Sequence, residues 1–428
     1  MPGNLPLEIQ TEIMRRLPVK SLIRFRSVSK AWKSLIDSTH FIAHYNGQMQ
    51  HLLVRYNVGS VGFQKHVSIV DDHTFPQQRV SLTLPLLVNM FKFHRIIGSS
   101  HGLLCLYGYY RRGCNFSVPG KHMVVLWNIS IRKAVAVVEP DVEDGIRTTI
   151  IGFGVCRETT DPKIVKIKHV YAWNHMESIP CVPWQVEVFT LSTGAWRSPN
   201  NNPPRKSIEF IGSQVVVDGF LYWLATDTVT IDGGFRSYNL IILFDMTSEE
   251  FIEINLPDSL AHHSVWNLSI SKLRESLVVV KQRVEADNLV FGVWMMEGSV
   301  PNSFTMLFNL NVNAPDASVR GFRKTGEPII ELVEDLGIYK LVVYEPHSKH
   351  INILGFDGTK ISFNVYSYME TLLLVDQPDL TIYNKEMTRR AFRTAVRLLG
   401  LKNIIDFTSN LSAILEDNKI EDDNVNVG

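Results

Sequence analysis

Apolar positions at the amino terminus have the spacing of a helix. Four of them recur at every fourth residue: Leu5, Ile9, Ile13 and Leu17. This spacing places side chains on one face of a helix, and Met14 widens the apolar stripe. A proline at position 18 ends the predicted helix, because proline cannot donate a backbone hydrogen bond to a continuing helix.

Two more short helices are predicted before residue 44. The second carries the next apolar residues of the pattern: Leu22, Phe25 and Val28. Ser29 is a predicted N-cap for the third helix, which carries Trp32, Leu35 and Ile36. A unit of about forty residues buries little of its own surface, and no Cys or histidine cluster in it provides a disulfide or metal. Its missing apolar contacts are therefore expected to come from another protein.

From residue 51 to residue 378 the chain changes to short apolar runs separated by turn residues, which is typical of β-strands. One class of run carries an aromatic residue near its end, at successive steps of 62, 55, 50 and 50 residues: Trp127, Phe189, Phe244, Trp294 and Tyr344. A period near 50 residues with several strands per period predicts a β-propeller of about six blades. Two packed β-sandwiches are the alternative, but they do not predict this regular spacing.

A second class of predicted strand alternates with the first, at residues 102–106, 219–224, 275–280, 327–332 and 370–375. Four of the five aromatic runs precede a polar turn with Ser or Thr, residues that hydrogen-bond nearby backbone and nucleate hairpins. The chain is therefore predicted to be mainly β. We expect an α-helical unit of residues 1–44, a propeller-like domain of residues 51–378 and a tail of residues 379–428.

The first 44 residues resemble an F-box. The resemblance lies in their order, from Leu5-Pro6 through Leu17-Pro18-Val19 and Val28-Ser29-Lys30 to Phe41. It implies docking on the small adaptor subunit of an SCF-type, cullin-based ubiquitin ligase. The residues implied in adaptor binding are Leu5, Pro6, Ile9, Ile13, Leu17, Pro18, Leu22, Phe25, Val28 and Trp32. A helical cap packed on the next domain is the alternative interpretation.

The β region resembles the F-box-associated, kelch-like domain of plant F-box proteins. The resemblance is carried by residues 98–106, 125–133, 152–154, 186–196, 218–223 and 244–251. Together the two resemblances imply a non-catalytic substrate-recognition subunit, whose propeller loops bind the protein to be ubiquitinated. Two alternatives remain: an F-box scaffold that does not promote turnover, and an enzyme with a propeller active site.

Charge and hydropathy exclude several classes of partner. The chain has 43 basic and 43 acidic residues, so its net charge gives no reason to expect nucleic acid. Residues 1–44 hold seven Lys or Arg against three acids, which suits either an acidic partner or a solvated helix surface. No apolar run is long enough to span a bilayer, and the first residues lack the layout of a secretory signal. We expect the cytoplasm, the nucleus or both as the location.

The sequence predicts no catalytic residue, cofactor or metal site. Cysteines at 105, 114, 156 and 181 lack Cys-x-x-Cys spacing and are expected to be reduced. Residues 98–102 match the Gly-x-Ser-x-Gly pattern of a nucleophile elbow, but a strand run follows where an elbow needs a helix. A turn between blades is expected there. Paired acids at 71–72 and 249–250 are expected in solvated loops.

The tail has a different composition. Residues 385–402 are predicted to form a helix, with three arginines on one edge, that packs on the propeller or contacts a partner or membrane surface. Residues 416–428 hold five acids and few apolar groups, so they are predicted to be disordered.

Overall fold

The computed structural model describes residues 5–383 with short gaps. The gaps are residues 46, 48, 60–62, 90, 92, 111–120, 140–146, 171–183, 200–206, 232–233, 286–287, 299–302, 335–336, 347 and 379–380. The predicted tail helix, the predicted acidic segment, Cys114 and Cys181 lie outside the described residues.

The amino-terminal unit contains four helices, so the prediction of three was wrong by one. They are α1 (Leu7–Arg15), α2 (Val19–Phe25), α3 (Lys30–Ile36) and α4 (Thr39–His44). Helix α3 begins as predicted, because Oγ of Ser29 accepts a hydrogen bond from the amide of Trp32 at 3.1 Å. Helix α4 has an equivalent cap, in which Oγ of Ser38 accepts from the amide of Phe41 at 3.2 Å. Val28 lies in the turn after α2 and not within it.

The described strands form six sheets, which confirms the propeller. Blade 1 begins with β1 (Gln50–Val58), β2 (Phe63–Val70) and β3 (Arg79–Ser81), and blade 2 contains β4 (Phe93–Ser100), β5 (Leu103–Tyr110), β6 (Lys121–Asn128) and β7 (Lys133–Val138). Blade 3 contains β8 (Arg147–Val155), β9 (Pro162–Val170), β10 (Gln185–Thr190) and β11 (Ala195–Arg197), and blade 4 contains β12 (Ile208–Val217), β13 (Phe220–Ile231), β14 (Gly234–Asp245) and β15 (Phe251–Asn255). Blade 5 contains β16 (Leu268–Leu273), β17 (Ser276–Glu285), β18 (Asn288–Met296) and β19 (Phe304–Val312), and blade 6 contains β20 (Ala317–Phe322), β21 (Pro328–Val333), β22 (Tyr339–Tyr344) and β23 (Ile351–Gly358). Two short helices, α5 (Leu86–Asn89) and α6 (Asp258–Ala261), lie in connections between blades.

Two late strands return to the first two blades. Strand β24 (Asn364–Met369) pairs antiparallel with β1 and becomes the innermost strand of blade 1, so it closes the ring. Strand β25 (Ile382–Tyr383) adds a fifth, parallel strand to the outer edge of blade 2, beside β7. Pairing between β24 and β1 rules out two separate sandwiches, since it joins the two ends of the β region in one sheet.

The aromatic residues of the repeat occupy equivalent places, as predicted. Each lies at or near the end of the third strand of its blade, from blade 2 to blade 6: Trp127, Phe189, Phe244, Trp294 and Tyr344. Four of them are buried, and Trp294 is partly buried. Hydrophobic clusters fill the spaces between blades 2 and 3, 3 and 4, 4 and 5, 5 and 6, and 6 and 1.

One predicted strand is absent. The first four runs of the second class are second strands of their blades, but residues 370–375 are irregular and end in a turn. The apolar residues of this run are used differently, because Leu372 and Val375 pack against the helices while Leu374 packs between blades 2 and 3. The apolar residues of 370–375 therefore connect the helices and the blades and do not form the predicted strand.

The ring has two distinct faces. The turns that follow the first strands of neighbouring blades lie on the same side of the ring. Arg157 and Asp218 pair at 2.8 Å between blades 3 and 4, and Arg274 donates to the carbonyl of Thr325 at 3.2 Å between blades 5 and 6. The four helices lie on this side, which we call the helical face, because they lead directly into the start of β1. The opposite side, the distal face, carries the connections from second to third strands and from one blade to the next.

Candidate functional site

The helical unit has an inner side that is bonded to the propeller. Its buried apolar residues form one cluster with two residues that follow β24: Met14, Val19, Leu22, Ile36, Phe41 and Tyr45, with Leu372 and Val375. Ile131, in the turn after β6, packs against the same cluster. The helices therefore pack against blade 2 and against the residues that follow β24.

Polar contacts strengthen this junction. The amide of Val19 donates to Oε2 of Glu370 at 3.3 Å. Arg26 pairs with Asp37 at 2.5 Å and also donates to the carbonyl of Val375 at 3.4 Å. Burial raises the pKa of Glu370, because it disfavours the charged carboxylate.

The outer side of the helical unit is an exposed apolar surface. Its large apolar side chains are 47% to 65% exposed: Leu5, Leu7, Ile9, Ile13 and Val28. Since α1 turns Met14 inward, the stripe that begins at Leu5 faces solvent. We call these five residues the helical apolar surface.

The ten residues predicted to bind the adaptor divide into three groups. Leu5, Pro6, Ile9, Ile13 and Val28 are exposed; Leu17, Pro18, Phe25 and Trp32 are partly buried; and Leu22 is buried. The structure brings Phe25 and Trp32 together, with ring centroids 5.2 Å apart, and Nε1 of Trp32 donates to Gln10 at 3.1 Å. Leu7 was missed, although it follows Leu5-Pro6 directly, because it lies off the four-residue series.

Exposed basic side chains accompany this surface. On α2 and α3 they include Lys20, Arg24, Lys30 and Lys33. Directly after α1, Arg16 pairs with Glu12 at 2.9 Å, and both side chains are largely exposed. The helical unit therefore presents apolar side chains with positive charge around them, a combination suited to an acidic partner with an apolar groove.

The distal face carries a second set of exposed apolar side chains, on connections of blades 1, 4, 5 and 6: Phe63, Leu86, Trp266, Val284, Ile338 and Ile361. Trp266 is 82% exposed and lies in a single 3-10 turn just before β16. We call these six residues the distal apolar set. Sequence reasoning did not find them; the available signal was a lone tryptophan in a polar, turn-rich segment.

The strands enclose a central cavity of about 680 Å³, lined by the first strands of the blades. Ser100 and His101 lie at its wall, with Oγ of Ser100 and Nδ1 of His101 3.1 Å apart. The same hydroxyl accepts from the amide of Val155 at 3.1 Å, which ties blade 2 to blade 3. Burial lowers the pKa of His101.

Residues 98–102 do not form a nucleophile elbow. His101 and Gly102 have φ values of 46° and 78° and make a tight hairpin turn between β4 and β5. The predicted turn therefore exists, but it lies within blade 2 and not between blades. A Cβ on Gly102 would approach the carbonyl of Met369 to 2.2 Å, so this position requires glycine.

Two of the acids predicted in solvated loops are buried ion-pair partners, so that prediction was wrong for them. Asp71 pairs with Arg323 at 2.9 Å and joins blade 1 to blade 6. Glu249 pairs with Lys163 at 2.8 Å and joins blade 4 to blade 3. Within the described ranges no group of three or more His, Cys, Asp or Glu is placed to bind a metal, and Cys105 and Cys156 are free. None of the described helices is long and apolar enough to cross a membrane.

Four short helices followed by six sheets define a β-propeller protein with an amino-terminal helical unit. The F-box-associated beta propeller domain matches residues 100–375, and the F-box domain matches residues 3–44. The chain belongs to the F-box-associated β-propeller family. An F-box domain implies binding to the adaptor subunit of an SCF-type ligase, and the two matches together support a general role in substrate recognition by such a ligase.

The chain is similar to proteins of Arabidopsis thaliana. F-box protein CPR1 is 25% identical over 437 residues, which cover 95% of this chain and 98% of that protein. F-box/LRR-repeat protein At2g43260 is 22% identical over 405 residues, or 90% of this chain and 87% of that protein. Prolyl oligopeptidase B from Galerina marginata, a solved structure, shares 12% identity and a TM-score of 0.36 over 72% of this chain and 41% of its own. So low a score says nothing about shared chemistry.

Proposed function

We propose that this chain is the substrate-recognition subunit of an SCF-type E3 ubiquitin ligase in the cytoplasm, the nucleus or both. The observation that carries the proposal is the separation of two exposed apolar surfaces on one body. The helical apolar surface lies on one side of the ring, and the distal apolar set lies on the other side. A subunit that binds the ligase with one end and a substrate with the other needs this arrangement.

The helical apolar surface is proposed to dock on the adaptor subunit. Exposed Leu5, Ile9, Ile13 and Val28 would enter an apolar groove, and the surrounding lysines and arginines would favour an acidic rim. Leu22 is buried, so its proposed role is to support the docking surface from inside. The partly buried pair of Phe25 and Trp32 holds α2 against α3 and would contact the adaptor at its edge.

The distal face is proposed to hold the protein to be ubiquitinated. Trp266 is the proposed anchor, since tryptophan is enriched among residues that dominate binding energy in interfaces. The chain would act without chemistry of its own, as the hydroxyl of Ser100 already accepts a hydrogen bond from the amide of Val155 on the next blade.

The test separates the two surfaces in cells. The double variant Ile9→Asp and Ile13→Asp should lose the adaptor and still capture the substrate, so that the substrate accumulates. Trp266→Ala should keep the adaptor and lose the substrate. Point changes are preferable to removal of residues 1–44, because removal would expose Leu372 and Val375.

For each variant, the half-life of the substrate is measured together with the amounts of adaptor and substrate that the variant captures. Proteins captured by the intact chain and lost with Trp266→Ala, with the proteasome inhibited, are the candidate substrates. An unchanged substrate half-life when the adaptor is lost would contradict the degradation role and favour an F-box scaffold. Capture that does not depend on any residue of the distal apolar set would contradict the placement of the substrate site.

A further inference from the structure

A cluster of nitrogen-rich side chains lies between blade 1 and blade 2. It contains Arg55 of β1, His66 of β2 and His94 of β4. Arg55 and His66 lie directly opposite each other in the register of β1 and β2. The ring centroids of His66 and His94 are 6.4 Å apart, so the cluster crosses from one blade to the next.

Three nitrogen atoms of this cluster are buried and have no hydrogen-bond partner within the part of the chain that the structure describes. They are Nε of Arg55, Nε2 of His66 and Nε2 of His94. His66 is only 5% exposed, so its ring is almost wholly inside the protein. Buried nitrogen atoms are rarely left without a partner, because they lose their hydrogen bonds to water on folding. Three together indicate a site for a ligand that accepts hydrogen bonds.

Charge supports the same conclusion. The guanidinium of Arg55 donates to Oδ1 of Asn364 at 2.8 Å, and no Asp or Glu of the described residues forms an ion pair with it. Burial lowers the pKa of Arg55. Burial, followed by the charges of Arg55 and His94, lowers the pKa of His66 to about 4. A buried guanidinium without an acidic partner among the described residues therefore lies beside two imidazole rings whose charged forms are disfavoured. A bound anion would stabilise the positive charge of all three groups.

We propose that a small inorganic oxyanion of the phosphate or sulfate class binds between blades 1 and 2, held by Arg55, His66 and His94. A tetrahedral oxyanion offers several acceptor oxygens at once and matches the fork of a guanidinium group. The burial of His66 favours a small ion over a peptide or a lipid headgroup. Asn364 also lines the central cavity, which gives the ion a route from that cavity.

The bound ion would complete the closure of the ring. Blade 1 is a composite, because its inner strand β24 is about 300 residues from β1, β2 and β3 along the chain. An ion bonded to β1, β2 and β4 would join this composite blade to blade 2. Since it would bind the folded ring and not the unfolded chain, it should stabilise the protein.

The test is thermal unfolding of the purified full-length chain during titration with sodium phosphate, with sodium chloride added to hold the ionic strength constant. The melting temperature should rise and then saturate, and sulfate should act in the same way. Arg55→Gln should weaken the apparent affinity at least about tenfold, because the guanidinium is lost. Arg236→Gln, which removes the same charge from an exposed position on β14, should leave the titration unchanged.

His94→Gln gives a second test if Arg55→Gln does not fold, and it too should weaken phosphate binding. Isothermal titration calorimetry with phosphate measures the same affinity without heating. A rise that never saturates, or one that persists in both Arg55→Gln and His94→Gln, would overturn the proposal. Equal stabilisation by glycerol phosphate, which carries a bulky ester, would overturn the assignment to a free inorganic ion.

Discussion

Helix α1 and the third strands of the blades use apolar residues in opposite ways. The regular stripe of Leu5, just before α1, and of Ile9 and Ile13 on it faces solvent. In the blades, residues such as Phe189 and Phe244 are buried between neighbouring sheets. Both patterns are regular in sequence, and both predict a face that avoids water. Among the described residues, only the blades provide the surface that covers it.

The difference lies in what each unit can bury by itself. A blade is flanked by two neighbours, so both faces of its sheet are covered. The helical unit is covered on one side by Leu372 and Val375, and its other side remains exposed. An exposed apolar surface of this kind on a folded protein marks an interaction site. Stability and binding should therefore respond to different residues in the two regions.

The largest expected effect is on the folded blades. Phe244→Ala removes a fully buried ring that contacts Phe251 at 4.8 Å between centroids, so it should lower the free energy of unfolding by about 3 to 5 kcal/mol. Denaturant unfolding of the full-length chain measures this loss. Ile252→Ala, at an exposed position on the neighbouring strand, should cost under about 1 kcal/mol. Similar losses from both changes would remove the distinction between covered and uncovered positions.

The second prediction applies the same comparison to charges. Asp71→Ala should lower the free energy of unfolding by about 3 kcal/mol, because it removes the closer carboxylate of buried Arg323 at the junction of blades 1 and 6 and leaves that of Glu327 at 3.7 Å. Glu275→Ala breaks the pair of Lys272 with an exposed carboxylate and should cost under about 1 kcal/mol. Denaturant unfolding of both variants gives the two values. A small loss for Asp71→Ala would mean that the ring closes without this pair.

The third prediction concerns binding. Ile13→Asp places a charge in the helical apolar surface and should weaken adaptor binding by about 2 kcal/mol, or roughly thirtyfold in Kd. Its melting temperature should stay close to that of the unchanged chain, since the side chain is half exposed. Ile361→Asp, which makes the same change on the distal face, should leave adaptor affinity unchanged. Calorimetry with purified adaptor decides the matter, and equal affinity for both variants would contradict the docking surface.

Much of the fold was predictable because its signals are local. The third-strand aromatics and the Ser29 cap could be identified from spacing and residue type alone. The pairing of β24 with β1 could not, because nothing in residues 364–369 identifies a partner about 300 positions earlier. For the same reason the pattern of residues 370–375 predicts a strand and does not indicate their contact with the helices.

The candidate surfaces were predictable only in part. Periodicity on α1 identifies an apolar face but not its direction, so the exposure of Ile9 and Ile13 required the structure. Trp266 belongs to no repeat, and a single aromatic residue in a turn carries no periodic signal. The cluster of Arg55, His66 and His94 combines three strands from two blades, and no spacing in the sequence relates them.

The smallest expected effect is at the junction of the two regions. Burial raises the pKa of Glu370, so the folded chain binds a proton at higher pH than the unfolded chain, in which a glutamate has a pKa of about 4.3. The stability that this group contributes is fully present below the unfolded pKa, and it is lost as the pH rises through the higher folded pKa. At neutral pH the charged carboxylate therefore weakens the contact between helices and propeller. Glu370→Gln removes this charge and keeps an oxygen that accepts from the amide of Val19.

We expect Glu370→Gln to melt at a higher temperature than the unchanged chain at neutral pH, and we expect the difference to shrink as the pH falls towards the unfolded pKa. Thermal unfolding of both proteins over this range measures the difference. Comparison at each pH cancels the titration of His51, His66 and His94, whose pKa values burial lowers in both proteins. A difference that is constant with pH, or a less stable variant at neutral pH, would show that Glu370 supports the junction as a charged group.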